Sequence, residues 1–284
     1  MEDKWYPGHI AKAKRRIKEK VKAVNSVIEM IDSRIPYSGR AYEWKKLFHN
    51  KHSIVLLTKS DLSDDTITRQ WVEYYRKQGS ICMTISLKDD VNRVRKNLEK
   101  LQAKIPSKSE FKRAMITGIP NVGKSTLINK VIRRKSMRTG NTPGVTVGLQ
   151  WINVSKNFLM LDTPGILYSN LYSDNVKYKL ILTGSIKGDV DTLDSAILYG
   201  VTFLREHYPK LLTEFVAYDF SDEEINVFDL YKVIAKRRGF LLKGGEYDLS
   251  RARDLTLKAF QDGTIGKFSL ETPELLEEEK KNEE

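Results

Sequence analysis

Cysteine is nearly missing. Its single occurrence among 284 residues is Cys82, which excludes an internal disulfide and a cysteine-based metal cluster. Cys82 lies in the apolar run 80–85 and is expected to be a buried spectator. No window approaches the roughly 20 apolar residues of a membrane span. The opening Met1-Glu2-Asp3-Lys4-Trp5 has no apolar leader core, so a cytoplasmic protein is expected. Histidine is scarce too, and His49, His52 and His207 show no partner pattern; they read as surface or core residues. Acidic charge is outnumbered, with 37 Asp and Glu against 49 Lys and Arg and a formal net charge of +12. That balance favours a polyanionic partner, nucleic acid ahead of an anionic membrane surface.

Apolar positions alternate with polar ones in two distinct regimes. Residues 26–31, 53–58, 81–85, 113–117, 150–154 and 157–162 read as short strands, with helices over 42–49, 65–78 and 91–103 and another from 124. This alternation predicts an α/β domain with a mainly parallel sheet and helices on both faces. Beyond residue 172 helical periodicity takes over. Helices are expected at 192–205, 222–238 and 249–261, the second opened by a capping box of Ser221 and Glu224. We therefore expect two domains, 1–174 and an all-α 175–284 whose last residues, 277–284, form a frayed tail. Upstream, residues 9–24 form an amphipathic helix with a basic face that includes Lys12, Arg15 and Arg16. Phosphate contact and simple solvation both explain that face.

Gly118-Ile119-Pro120-Asn121-Val122-Gly123-Lys124-Ser125-Thr126 fits the phosphate-binding loop, between a strand and a helix. Its backbone N–H groups, from Asn121 to Thr126, can cradle phosphates, Lys124 reaches the β and γ oxygens, and the Ser125 hydroxyl is suited to Mg²⁺. Asp162-Thr163-Pro164-Gly165 ends a later strand, where Asp162 would hold Mg²⁺ through water and the Gly165 N–H would meet the γ-phosphate. Thr146, preferred to Thr142, is the candidate third Mg²⁺ group. Base choice falls to Thr58-Lys59-Ser60-Asp61. The Asp61 carboxylate can accept from guanine N1–H and its 2-amino group, which adenine lacks, while the Lys59 stem covers the ring. Ser86 and Leu87, at the end of another strand, can bring N–H groups to the guanine oxygen. These readings predict a GTP/GDP site and a GTPase.

The guanine motifs precede the phosphate motifs, so the nucleotide domain is a circular permutation of the usual order. With Pro7-Gly8-His9, Pro143-Gly144-Val145-Thr146 and the motifs above, the chain resembles the RbgA/YlqF family of ribosome-assembly GTPases over nearly its whole length. It departs at Thr58, where such GTPases usually carry Asn, and the shorter side chain is expected to loosen the link to neighbouring loops. The resemblance implies a circularly permuted P-loop GTPase fold with a small helical C-terminal domain, and a role in late assembly of the large ribosomal subunit. It implies binding to the precursor and its rRNA in the GTP state and release after hydrolysis. A switch at a membrane surface and another RNA-processing pathway are the alternatives; DNA is not expected. Ile166 stands where Ras-like enzymes place a water-orienting Gln, so hydrolysis by the isolated protein is expected to be slow and stimulated by the subunit. The resemblance points to His9 as the water-orienting group and to Asn121 as a K⁺ ligand. Arg237, Arg238 and Arg251 are further candidates for rRNA phosphate contact.

Overall fold

The computed structural model describes residues 15, 17–40, 47–107, 109–132, 150–163, 165, 173–218 and 225–277. The statements below concern those residues. His9, Lys12, Arg16, Thr142, Thr146 and Ile166 lie outside them, as do the capping-box residues Ser221 and Glu224 and most of the expected helix at 42–49.

Contacts divide the chain into two units. The first comprises Met1–Asp61, Asp65–Asn170 and Glu271–Glu284; the second comprises Leu62–Asp64 and Leu171–Leu270.

In the first unit, β1 (Ser26–Asp32), β2 (His52–Thr58), β3 (Ile81–Ile85), β4 (Lys112–Thr117), β5 (Gln150–Ser155) and β6 (Phe158–Asp162) form one six-stranded sheet in the order β3-β2-β1-β4-β6-β5. Every pairing is parallel except β5 with β6. The central strands are buried on both faces: Ile28, Met30, Ile54 and Leu56 alternate with Val27, Ile31, Val55 and Leu57. That is why they read as apolar runs, interrupted in β1 by Glu29. Helix α1 (Asp65–Lys77) covers one face through Trp71 and Tyr75, which pack with Ile31, Val55, Leu57 and Cys82. On the same face Ile17, Val21 and Val24, from the stripe expected of residues 9–24, pack with Val27, Met115 and Leu161; Val21–Ala23 is a 3-10 turn and Val24 is already extended, so the expected helix ends earlier than 24. Helices α2 (Val91–Lys104) and α3 (Lys124–Ile132) pack against each other. Burial pushes the Cys82 thiol up to about 12, against the opposing charges of Arg76 and Arg40, as expected for a spectator.

Five parallel strands, β1, β2, β3, β4 and β6, present their C-terminal ends at one edge of this sheet. Ligands of open α/β sheets bind at such edges.

The chain after residue 270 departs from the expected domain plan. Glu271 belongs to the first unit, where its carboxylate accepts from the backbone N–H groups of Tyr37 at 2.7 Å and Ser38 at 3.2 Å and from the Ser38 hydroxyl. Trp71 Nε1 donates to the Glu271 carbonyl at 2.9 Å, and Leu276 joins the Trp71 cluster. Replacing Glu271 with alanine is expected to cost about 3 kcal/mol, since each orphaned N–H donor costs roughly 1–3 kcal/mol. A lower urea midpoint with unchanged slope is the readout.

The second unit contains α4 (Asp174–Leu182), α5 (Val190–His207), α6 (Pro209–Val216), α7 (Val227–Arg238) and α8 (Leu249–Asp262). Its all-α character follows the expectation, with one boundary corrected. Described α7 starts at Val227, where the Asn226 side chain accepts from Phe228 N, rather than at 222. Gly239 and Gly263 close α7 and α8 in the left-handed conformation that glycine adopts at no steric cost. Leu62–Asp64 belongs here because Phe268 N donates to the Leu62 carbonyl and Asp64 N to Ser269 Oγ.

Candidate functional site

The site is assembled from loops that leave the sheet edge. After β4 the chain turns through Gly118 at φ +152, where a Cβ would stand 2.5 Å from the Met30 carbonyl oxygen. It then passes Asn121, left-handed at φ 59, and Gly123 at φ +102 before α3 begins. Asn tolerates the left-handed region better than most side chains, so both the glycines and Asn121 suit a loop that turns its N–H groups inward.

Lys124 is buried within the first turn of α3, and its Nζ donates to the Gly118 carbonyl at 3.1 Å. Burial lowers its pKa to about 8, partly offset by the negative charge of Asp162. Gly165 lies beside it: a Cβ there would come within 3.3 Å of Lys124 Nζ and of Pro120 Cα. Asp162 is buried at the end of β6, in register with Ile116 of β4. Thr163 anchors the following turn by donating from its hydroxyl to the Ile116 carbonyl at 2.8 Å. The two phosphate motifs therefore meet at one ammonium. Ser125 and Thr126 are exposed on the same first turn of α3.

The segments expected to read guanine reach the same loop. The Thr58 hydroxyl lies 2.8 Å from the Val122 carbonyl and 3.1 Å from that of Ile31. This corrects the expectation of a loosened link: a hydroxyl spans the gap that the longer Asn was thought necessary to bridge. Ser86 Oγ donates to Asp61 Oδ1 at 2.8 Å, and Lys88 Nζ lies 3.3 Å from Oδ2. Lys88 is exposed, so solvent screens that pair. Leu87 packs on the phosphate loop, where a Cβ on Gly123 would meet Leu87 Cδ1 at 2.4 Å. Thr58, Lys59, Ser60, Asp61, Ser86, Leu87 and residues 118–126 thus form one contiguous edge.

Sequence reasoning missed the residues that brace this edge. Asp32 at the end of β1 is fully buried with Arg34; its Oδ1 accepts from Arg34 Nε and Oδ2 from Arg34 Nη2, at 3.0 and 2.8 Å. Lys59 Nζ is 3.0 Å from the same Oδ2. Burial alone raises the Asp32 carboxyl, but the charges of Arg34 and Lys59 and the Arg34 hydrogen bonds outweigh it and hold it well below the carboxylate range. An Asp and an Arg directly after an apolar strand, at a sheet edge carrying other strand-end motifs, was the available signal.

The cations expected to contact rRNA differ in their surroundings. Arg15 is exposed and paired with Glu19 at 3.5 Å, and Arg238 is exposed. Arg237 Nη1 donates to the Phe215 carbonyl at 2.7 Å, capping the end of α6, while the Arg251 guanidinium lies 4.2 Å from the Phe240 ring centroid. These two have visible structural work. His49, His52 and His207 are all exposed, with the His207 ring 4.3 Å from that of Phe203 and tilted by 39° to it.

A mainly parallel sheet, a phosphate-binding loop and a guanine motif that comes earlier in the chain define a circularly permuted P-loop GTPase. A family model described as 50S ribosome-binding GTPase matches residues 113–227, which takes in both phosphate motifs and leaves Thr58–Asp61 upstream. Over 284 residues the chain is 38% identical to Ribosome biogenesis GTPase A of Priestia megaterium, covering 96% of this chain and 98% of that one. Two solved structures at 32% identity are similar in fold. The GDP-bound structure of TM YlqF has a TM-score of 0.68 with 92% and 100% of the two chains covered. GNP-bound YlqF from T. maritima has a TM-score of 0.66 with 93% and 99% covered. The chain belongs to the ribosome biogenesis GTPase A family; it binds guanine nucleotide and hydrolyses GTP.

Proposed function

We propose that this GTPase serves late assembly of the large ribosomal subunit in the cytoplasm, docking on the precursor and its rRNA in the GTP state and leaving after hydrolysis. The nucleotide part rests on the Thr58–Val122 hydrogen bond, which joins base-reading and phosphate-binding segments. The ribosomal part rests on near full-length likeness to proteins named for ribosome biogenesis and on the +12 net charge. Among the described residues no helix is long and apolar enough to cross a membrane.

In this reading Asp61 accepts from the guanine N1–H and 2-amino group, Lys59 covers the ring, and Ser86 and Leu87 supply main-chain donors to its oxygen. The N–H groups of Asn121 to Thr126 and of Gly165 hold phosphate oxygens, and Lys124 neutralises the β and γ oxygens. Ser125 and the buried Asp162 carboxylate, together with nucleotide oxygens, make an all-oxygen donor set that fits Mg²⁺. Ser125 and Thr146 would hold the ion directly and Asp162 through water. When bound, Mg²⁺ would supply positive charge that offsets the charge of the phosphates. Asn121, exposed in the loop, is the K⁺ candidate, and His9 the water-orienting group. Lys12, Arg15, Arg16 and Arg238 are the cations assigned to rRNA.

Co-sedimentation with precursor large subunits tests the proposal. A non-hydrolysable GTP analogue should promote co-sedimentation relative to GDP, and subunits should stimulate turnover more in K⁺ than in Na⁺ at equal ionic strength. Nucleotide-independent binding, or binding to anionic liposomes alone, would overturn the ribosomal assignment; equal rates in the two salts would remove the K⁺ role.

A further inference from the structure

Lys59 adopts a left-handed backbone at φ 53, a conformation that costs a non-glycine residue about 1–2 kcal/mol. Something must hold it there, and the segment Asp32-Ser33-Arg34 is suitably built. Ser33 engages the residue before Lys59 twice: its N–H donates to the Thr58 carbonyl at 2.9 Å and its hydroxyl to the same oxygen at 2.6 Å. Asp32 takes the other end, with Lys59 Nζ 3.0 Å from Oδ2. Asp32 is itself immobile, because Arg34 holds both carboxylate oxygens and donates its backbone N–H to Oδ1 at 3.0 Å.

A lysine side chain is flexible, and holding it over a base costs rotamer entropy on binding. An ammonium tethered to a buried, doubly anchored carboxylate has already lost much of that freedom before nucleotide arrives. We propose that Asp32 is a positioning residue for guanine-nucleotide binding: it fixes the Lys59 side chain as a preformed wall for the base, with Ser33 pinning the Thr58–Lys59 turn. Arg34 completes the bracket by keeping Asp32 ionised and oriented. The inference rests on the placement of Lys59 against guanine proposed above. It adds a determinant that lies on β1, outside every nucleotide motif of the chain.

The bracket should act on retention of the whole nucleotide, without changing which purine edge is read, since Asp61 is left in place. Dissociation of a fluorescent GDP analogue is the measurement, made on the full chain with Asp32→Asn, Lys59→Met and the double variant, each checked for folding by thermal melting. Asp32→Asn should accelerate release about tenfold, as should Lys59→Met, and the double variant should be no faster than about twofold over Lys59→Met. The preference for GDP over IDP, which lacks the 2-amino group, should stay as in the wild type. Because Asp32→Asn strands a buried guanidinium, Asp32→Asn with Arg34→Gln provides a second variant without that orphan charge, and its release should be accelerated similarly. Fully multiplied effects in the double variant, or wild-type release from folded Asp32→Asn protein, would overturn the proposal. Wild-type release from Lys59→Met, which keeps an apolar stem but loses the ammonium, would likewise overturn the proposal, whereas wild-type release from Lys59→Ala would show that Lys59 does not wall the base, sinking the reading underneath.

Discussion

Lys124→Ala is expected to lower GTP turnover by at least about 100-fold, the scale seen when one preorganised charge-stabilising donor is removed from an active site. Lys124 is buried at the point where both phosphate motifs meet, touching Gly118 and adjoining Gly165. Water cannot readily replace an ammonium there. The same burial gives a pH signature. Lys124, ordinarily near 10.5, is lowered to about 8, so the free protein loses this positive charge as pH rises through 8. Phosphates bind the charged form and raise its pKa, so above pH 8 binding takes up a proton. Nucleotide affinity should therefore fall above pH 8, by up to about tenfold per pH unit, with no corresponding loss below it. In Lys124→Ala that slope should be absent. Calorimetric titration in buffers of different ionisation enthalpy checks both statements, and a pH-independent affinity in the wild type would remove the assignment.

Asp61→Asn should change the ligand rather than merely weaken it. The carboxylate offers two acceptors, whereas the amide offers one acceptor and a donor pair. Guanine then faces a donor with its own donor, and xanthine, with a carbonyl in place of the 2-amino group, is better matched. Hydrogen bonds to a charged group are worth roughly 1.5–3 kcal/mol each, so GDP affinity should drop by about 100-fold or more while that for xanthosine diphosphate rises. Competition against a fluorescent nucleotide measures both. Unchanged preference for GDP would show that Asp61 does not read the base.

Both predictions use residues recognisable from the chain alone, and the reason is physical. Phosphate loops need glycine and lysine at fixed spacing, and base-reading needs a carboxylate at a strand end, so these constraints are local. Strands β1 and β2 were legible because burial on both faces leaves apolar runs, broken only by Glu29 in residues 27–31 and unbroken in residues 54–57. What escaped is long-range. Glu271 binds residues more than 230 positions upstream, and nothing in its neighbourhood announces that. The division at Asp61 is equally hidden, since Leu62–Asp64 joins the second unit through Phe268 and Ser269. The hydrogen bond from Arg237 to the Phe215 carbonyl was hidden because a charged residue at a helix end carries no mark of the carbonyls it will cap. Thr58 misled for a related reason: side-chain length suggested a gap, and only the backbone position of Val122 shows that a hydroxyl closes it.

The boundary at 270 also determines how the helical unit should be examined. Deleting everything after residue 175 removes Glu271 and Leu276 from the first unit along with the helices, so lost subunit binding in such a protein would not identify the cause. Charge reversal at exposed Arg238 leaves that anchor in place.

A crystal structure with a non-hydrolysable GTP analogue bears most directly on the permuted site. One bound molecule is expected, its guanine edge donating to Asp61 while its β- and γ-phosphates contact Lys124. A nucleotide reached by only one of these two side chains would contradict that expectation.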